Sequence, residues 1–166
     1  TVKVYNANSN SFNVNSTLVY GEKEAVVIDA GFTRADALRI AANVLDSGKQ
    51  LTTIYVSQAD PDYYFGIEVL KQHFPDARVV TTAPTLKKIQ ATLAAKLEVW
   101  GPRMGANAPK SVPLPEVMAG NTITATVTTP AETPFGLSAG TQSVSTGTLV
   151  FSNSNMSRSE EHTSEL

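Results

Sequence analysis

Residues 51–74 constrain this chain more than any other stretch. An alternating apolar run over 51–56 leads into the polar segment Ser57-Gln58-Ala59-Asp60-Pro61-Asp62-Tyr63-Tyr64-Phe65-Gly66, and an apolar segment over 67–74 follows. That is the pattern of a buried strand emptying into a loop and then a helix. In open α/β sheets, ligands are handled beyond the carboxyl ends of the strands. Asp60 and Asp62 lie in that place, beside the amide of Gln58 and the phenol of Tyr63, so several oxygen donors can converge on a cation. Such hard donors suit Mg²⁺, Mn²⁺ or Ca²⁺ better than Zn²⁺. Two carboxylates in a short loop also repel, which raises the pKa of one unless a cation or donor intervenes. The plainer reading is that Asp62 caps the following helix or bonds to backbone amides, with no metal bound.

The flanking sequence extends the α/β pattern. Residues 2–7 and 12–20 read as two strands about a polar turn from Asn8 to Ser11, and Gly21 and Glu22 turn the second into a hairpin with residues 25–28. Thr33 is a good helix N-cap with Asp36 in the capping-box position. Ala37, Leu38, Ala41, Val44 and Leu45 form an apolar face, and Gly48 stops the helix. With the strand at 51–56 this makes β-α-β, which favours parallel pairing and a right-handed crossover. A strand over 77–81 follows, then a helix opened by Thr82 and Pro84 and reaching Trp100. Leu86, Ile89, Leu93, Leu97 and Trp100 form its buried stripe. Residues 101–116 carry four prolines and two glycines and read as loop. Lys87, Lys88, Lys96, Arg103 and Lys110 surround that region as a basic face, either simply solvated or attractive to an anionic substrate. A strand is expected to restart over 117–127, about the Gly120-Asn121 turn, with another over 148–151.

The segment from Ser57 to Gly66 resembles the metal-binding loop of the metallo-β-lactamase-fold hydrolases, whose pattern is His-x-His-x-Asp-His-x-x-Gly. Gln58 falls on the first His, Asp60 on the second, Asp62 on the Asp, Tyr63 on the third His and Gly66 on the Gly. Asp62 and Gly66 keep the family identity, and all three histidines are replaced. The stretch from Asn15 to Gly31 is also similar to the family's opening hairpin, in which an Asp-x-Gly closes the strand next to the metal; Asp29 and Gly31 match it. The resemblance covers roughly residues 12–120. It implies an α/β fold, the N-terminal half of an αββα sandwich with a mixed sheet and helices packed on it. It implies hydrolysis of an ester, lactone, amide or phosphoester by metal-activated water, with zinc as the family's metal. Asp62 would be the catalytic residue, Gln58, Asp60, Asp62 and Tyr63 the metal ligands, and Asn15, Asp29, Gly31 and Gly66 the supporting residues. The plainer reading of Asp29 is an acceptor of backbone hydrogen bonds at a strand end. Two other readings stand beside the hydrolase. One is a non-catalytic pseudoenzyme that binds a ligand through the same cleft. The other is an unrelated α/β domain, in which Asn15, Asp29 and Asp62 would not converge.

Composition narrows the partners. Lys and Arg number 13 against 15 Asp and Glu, a net charge of −2, which gives no reason to expect nucleic acid or an anionic membrane. No apolar run approaches the roughly 18 residues that a membrane span needs, and a small-molecule substrate or ligand is the expected partner. The chain has no Cys, which excludes disulfides and thiolate metal sites and leans towards a periplasmic or secreted setting. No GxGxxG follows the first strands, which argues against a dinucleotide fold. The chain starts at Thr1 without a basic-apolar leader and reads as a piece of a longer product. Residues 1–120 form the expected domain. Residues 121–157 hold 15 Ser or Thr and a single charged side chain, Glu132, as a Ser/Thr-rich β segment or a shifted reading frame would. Residues 158–166 resemble a translated sequencing adapter, which sets His162 aside and leaves His73.

Overall fold

The computed structural model of the chain describes residues 1–120, 122–124 and 148–150. Its strands are β1 (Val2–Asn6), β2 (Asn15–Tyr20), β3 (Glu24–Ile28), β4 (Gln50–Val56), β5 (Arg78–Thr81) and β6 (Glu116–Val117). They form one sheet in sequence order. β1, β2 and β3 pair antiparallel, with Thr17 opposite Ile28, and β3 to β6 pair parallel, with Val27 opposite Ile54 and Ile54 opposite Val79. The sheet is therefore mixed, and the expected parallel β-α-β unit is present. The helices are α1 (Arg34–Ser47), α2 (Pro61–Tyr64), α3 (Ile67–His73) and α4 (Ala83–Met104). A separate antiparallel pair joins β7 (Thr122–Thr124) to β8 (Thr148–Val150).

Strand neighbours point to opposite faces, and both faces of the central strands are apolar. Val27, Ile54, Val56 and Val79 pack with Ile40, Ala41 and Val44 of α1, Ile67 and Leu70 of α3 and Ile89 of α4. Val26, Tyr55 and Val80 point the other way and pack with Met118 and Ile123. Burial on both sides explains why these strands read as near-continuous apolar runs. The capping box of α1 is complete: the Thr33 side chain accepts from the Asp36 N–H, and the Asp36 carboxylate accepts from the Thr33 N–H.

Several expectations are corrected. The strand expected from residue 12 begins at Asn15, because residues 9–11 form a 3-10 turn capped by Asn8, and Phe12 and Asn13 take φ of 57° and 54°. Leu38 and Leu45 are 49% and 63% exposed, whereas Ile40 is buried. The α1 stripe is Ala37, Ile40, Ala41 and Val44, and the two leucines are each rotated one residue off it. The loop expected over 57–66 contains the single turn α2. Helix α4 runs through Pro102 to Met104, four residues into the expected loop, because Trp100 and Met104 pack on the core and the Arg103 guanidinium sits 5.3 Å from the Trp100 ring centroid. His73 is exposed at the end of α3. The expected strand positions 125–127 and 151, Glu132, and the tail with His162 lie outside the described residues.

Candidate functional site

Because β3 and β4 are parallel, their carboxyl ends deliver Asp29 and the 57–66 loop to one end of the sheet. Asp29 has φ of 66°, a left-handed conformation that few residues other than Gly and Asn/Asp adopt readily. Its N–H donates to the Tyr55 carbonyl at 2.8 Å, and the next N–H, of Ala30, donates to the Tyr63 carbonyl at 2.8 Å. The buried carboxylate accepts from the Ser57 N–H at 2.8 Å and from the Ser57 hydroxyl at 2.7 Å. Asp29 is thus an acceptor at a strand end, and it ties β3 to the first residue of the loop. Burial pushes it up to about 7; the Ser57 donors oppose that rise and the nearby Asp62 carboxylate adds to it.

Gly31 and Gly66 let the strand end and the loop touch. The Gly66 N–H donates to the Gly31 carbonyl at 3.0 Å. A Cβ on Gly66 would stand 2.0 Å from the Ala30 carbonyl oxygen, so only a bare backbone fits. Gly31 itself needs φ of 82°.

Within the loop, the Asp60 carbonyl accepts from the Tyr63 N–H at 3.0 Å, closing the turn of α2. The Asp60 carboxylate does not cap the helix. It pairs with Lys96 of α4, whose Nζ lies 3.0 Å from Oδ1 and 2.7 Å from the Ala59 carbonyl oxygen. Lys96 is therefore neither a solvated lysine nor part of an open basic face. Asp62 follows in the first turn of α2, half-buried, with no ion pair among the described residues. Burial pushes it up to about 6; its own backbone N–H and Lys96 oppose the rise, and Asp60 adds to it. Tyr63 is raised by burial and then by the carboxylates of Asp62, Asp29 and Asp60. Tyr63 thus lies within electrostatic reach of Asp62, Asp29 and Asp60.

Gln58 is half-buried beside them. Asn15, at the start of β2, stands at the same sheet end, two residues before Thr17 and its partner Ile28. Its side chain is exposed and makes no hydrogen bond to Asp29 or the loop. Asp29 and Asp62 converge, and Asn15 stays at the margin. Among the described residues, no three His, Cys, Asp or Glu side chains group to hold a metal ion. Two residues of the site were not evident in the sequence, Ser57 as the partner of Asp29 and Lys96 as the partner of Asp60. The one signal for Lys96 was its place between Leu93 and Leu97 on the buried side of α4.

A family model described as the metallo-beta-lactamase superfamily matches residues 10–138. The chain belongs to the metallo-β-lactamase superfamily. The match begins before β2 and runs past residue 120 into the Ser/Thr-rich segment. Comparison with curated proteins gives no match. Among solved structures, the DIM-1 metallo-β-lactamase exposed to ceftazidime is 16% identical, with a TM-score of 0.48 over 75% of this chain and 49% of its own. A metallo-β-lactamase from Pontibacter korlensis is 16% identical, with a TM-score of 0.47 over 76% of this chain and 56% of its own. MEM-A1, a subclass B3 metallo-β-lactamase isolated from a soil metagenome library, is 21% identical, with a TM-score of 0.47 over 72% of this chain and 48% of its own. The chain spans about half the length of these proteins. Its mixed sheet with helices packed on it is the N-terminal half of the superfamily fold. No helix of the described residues is long and apolar enough to cross a membrane.

Proposed function

We propose that the whole protein is a hydrolase of a small molecule carrying an ester, lactone, amide or phosphoester, and that Asp62 is the residue that takes the proton from the attacking water. The observation that carries this reading is the placement of Asp62. It is a half-buried carboxylate without an ion pair among the described residues, on a loop beyond a parallel strand, and burial pushes its pKa up to about 6. A base poised near neutrality accepts a proton from water and still remains ionised at working pH. Asp29 and Ser57 support it by fixing the loop to β3.

Zinc is the metal that the superfamily usually binds. The donors here do not fit it, because Gln58, Asp60 and Tyr63 offer oxygens where the family pattern has imidazoles, and the Asp60 carboxylate is held by Lys96. The same oxygens suit Mg²⁺, Mn²⁺ or Ca²⁺ in kind, yet Asp62 is the only loop carboxylate left unpaired for such an ion. The proton transfer to Asp62 needs no metal. A second reading, a pseudoenzyme that binds a small ligand without turnover, is favoured by the Lys96–Asp60 pair, which engages one of the two loop carboxylates.

The test is a panel of ester, lactone, amide and phosphoester substrates, offered to the full-length protein with and without chelator, beside Asp62→Asn. Hydrolysis that falls about 100-fold or more in the variant supports the base role. Thermal shifts on ligand addition without turnover would favour the pseudoenzyme.

A further inference from the structure

We infer that Lys96 is the resident cation of this loop: its ammonium supplies the positive charge and the fixed geometry that a metal ion would otherwise supply, so the loop is assembled without a divalent ion. This goes beyond the hydrolase reading and depends only on where the loop sits.

Three observations carry it. First, Lys96 reaches the loop from α4, 36 residues on in sequence, and spends two of its three N–H donors there, one on a carboxylate and one on a backbone carbonyl. A contact of that kind orders the loop as well as neutralising it. Second, its partner Asp60 occupies the position where the family pattern has its second histidine. The ammonium therefore engages a side chain that the pattern assigns to a metal. Third, the ammonium is not a freely moving surface charge. The Lys96 side chain is 20% exposed, and Leu93 and Leu97 on either side pack against the core. A divalent ion coordinated by Asp60 would have to sit against this ammonium, and like charges at such distances repel. Lys96 acts through Asp60 and Ala59, so it is a positioning residue.

The experiment uses the full-length protein as wild type, Lys96→Met, Lys96→Gln and Asp60→Asn. Elemental analysis and calorimetric titration with Zn²⁺ and Mn²⁺ count bound ions, and melting in chelator reports the loop's contribution to stability. The inference expects wild type to melt identically with and without chelator and to take up neither ion stoichiometrically at the loop. It expects Lys96→Met to melt lower, and to gain Mn²⁺ affinity by about tenfold or more, because a freed carboxylate raises the ligand charge at the site. The added Mn²⁺ should return part of the lost melting temperature. Lys96→Gln, which keeps a neutral donor for the Ala59 carbonyl, should show the same gain in Mn²⁺ affinity if Lys96→Met fails to fold. Stoichiometric metal on wild type that disappears in Asp60→Asn overturns the inference. So does a Lys96→Gln protein that melts and binds ions as wild type does. The presence or absence of hydrolysis moves none of these readouts, so failure of the hydrolase reading is separable from failure of this one.

Discussion

Tyr64 is buried completely, and its hydroxyl has no hydrogen-bond partner among the described residues. Its ring packs edge-on against Phe65, with centroids 5.4 Å apart. A buried hydroxyl left without a partner costs about 1–3 kcal/mol. Tyr64→Phe keeps the ring and removes that cost, so it should stabilise the protein by about 1 kcal/mol in urea unfolding. A clear loss of stability would show that the hydroxyl has a partner and that this view of the loop is wrong. At the same scale, the candidate residues were only partly legible in the sequence. Spacing shows that Gln58, Asp60, Asp62 and Tyr63 sit in one loop. It does not show that Asp60 is taken by a lysine from a distant helix, or that Asp29 turns back onto Ser57. Those pairings are set by how α4 docks and by the left-handed turn at Asp29, and neither leaves a local pattern.

The elements that build the site are held by close backbone approach, and the glycines separate two physical causes. At Gly66 the backbone is ordinary, with φ of −70°, and the obstacle is contact: a Cβ would meet the Ala30 carbonyl oxygen at 2.0 Å. At Gly48 the surroundings are open and the obstacle is φ of 66°. Gly48→Ala should therefore cost about 1 kcal/mol, the penalty of a left-handed residue. Gly66→Ala should cost about 3 kcal/mol or more, since backbone must move and the hydrogen bond to Gly31 is strained. Denaturant midpoints of the two variants check the ratio. Equal losses would mean that the junction of α2 and α3 relaxes freely and is not what fixes the loop to β3. Helix and strand identities were legible because their apolar periods are long. The α1 stripe is centred on Ile40, and Leu38 and Leu45 miss it because a helix turns by about 100° per residue, which carries each leucine off the buried face.

For the molecule as a whole, the hairpin and β-α-β patterns foretold an antiparallel and a parallel pairing, and the resemblance of the 57–66 loop implied the mixed sheet with helices packed on it. Neither could foresee which carboxylates the fold would bury, and that determines how stability depends on pH. Burial pushes the Asp29 carboxyl up to about 7 and that of Asp62 up to about 6, against an ordinary value of 3.8. Their folded pKa values are raised, so between about pH 4 and pH 7 the folded state holds protons that the unfolded state has released. Stability from these two groups is therefore greatest at the acid end of that window and falls as pH rises through it. Asp36 works in the opposite sense. Burial alone would raise it, but hydrogen bonds from Ser11, Thr33 and Tyr5 outweigh that and hold it below its ordinary value. Its contribution is present above the ordinary carboxylate range and is lost as pH falls below it. Together these place the stability optimum on the acid side, around pH 4 to 5, with a decline on the order of a few kcal/mol towards pH 8. Urea midpoints measured across that range should show the decline, and Asp29→Asn should flatten its upper part, because a neutral amide at that position has no proton to release. Stability that instead climbs steadily from pH 5 to 7 would mean that both carboxylates are satisfied as anions, and Asp62 would then lose its standing as a base tuned by burial.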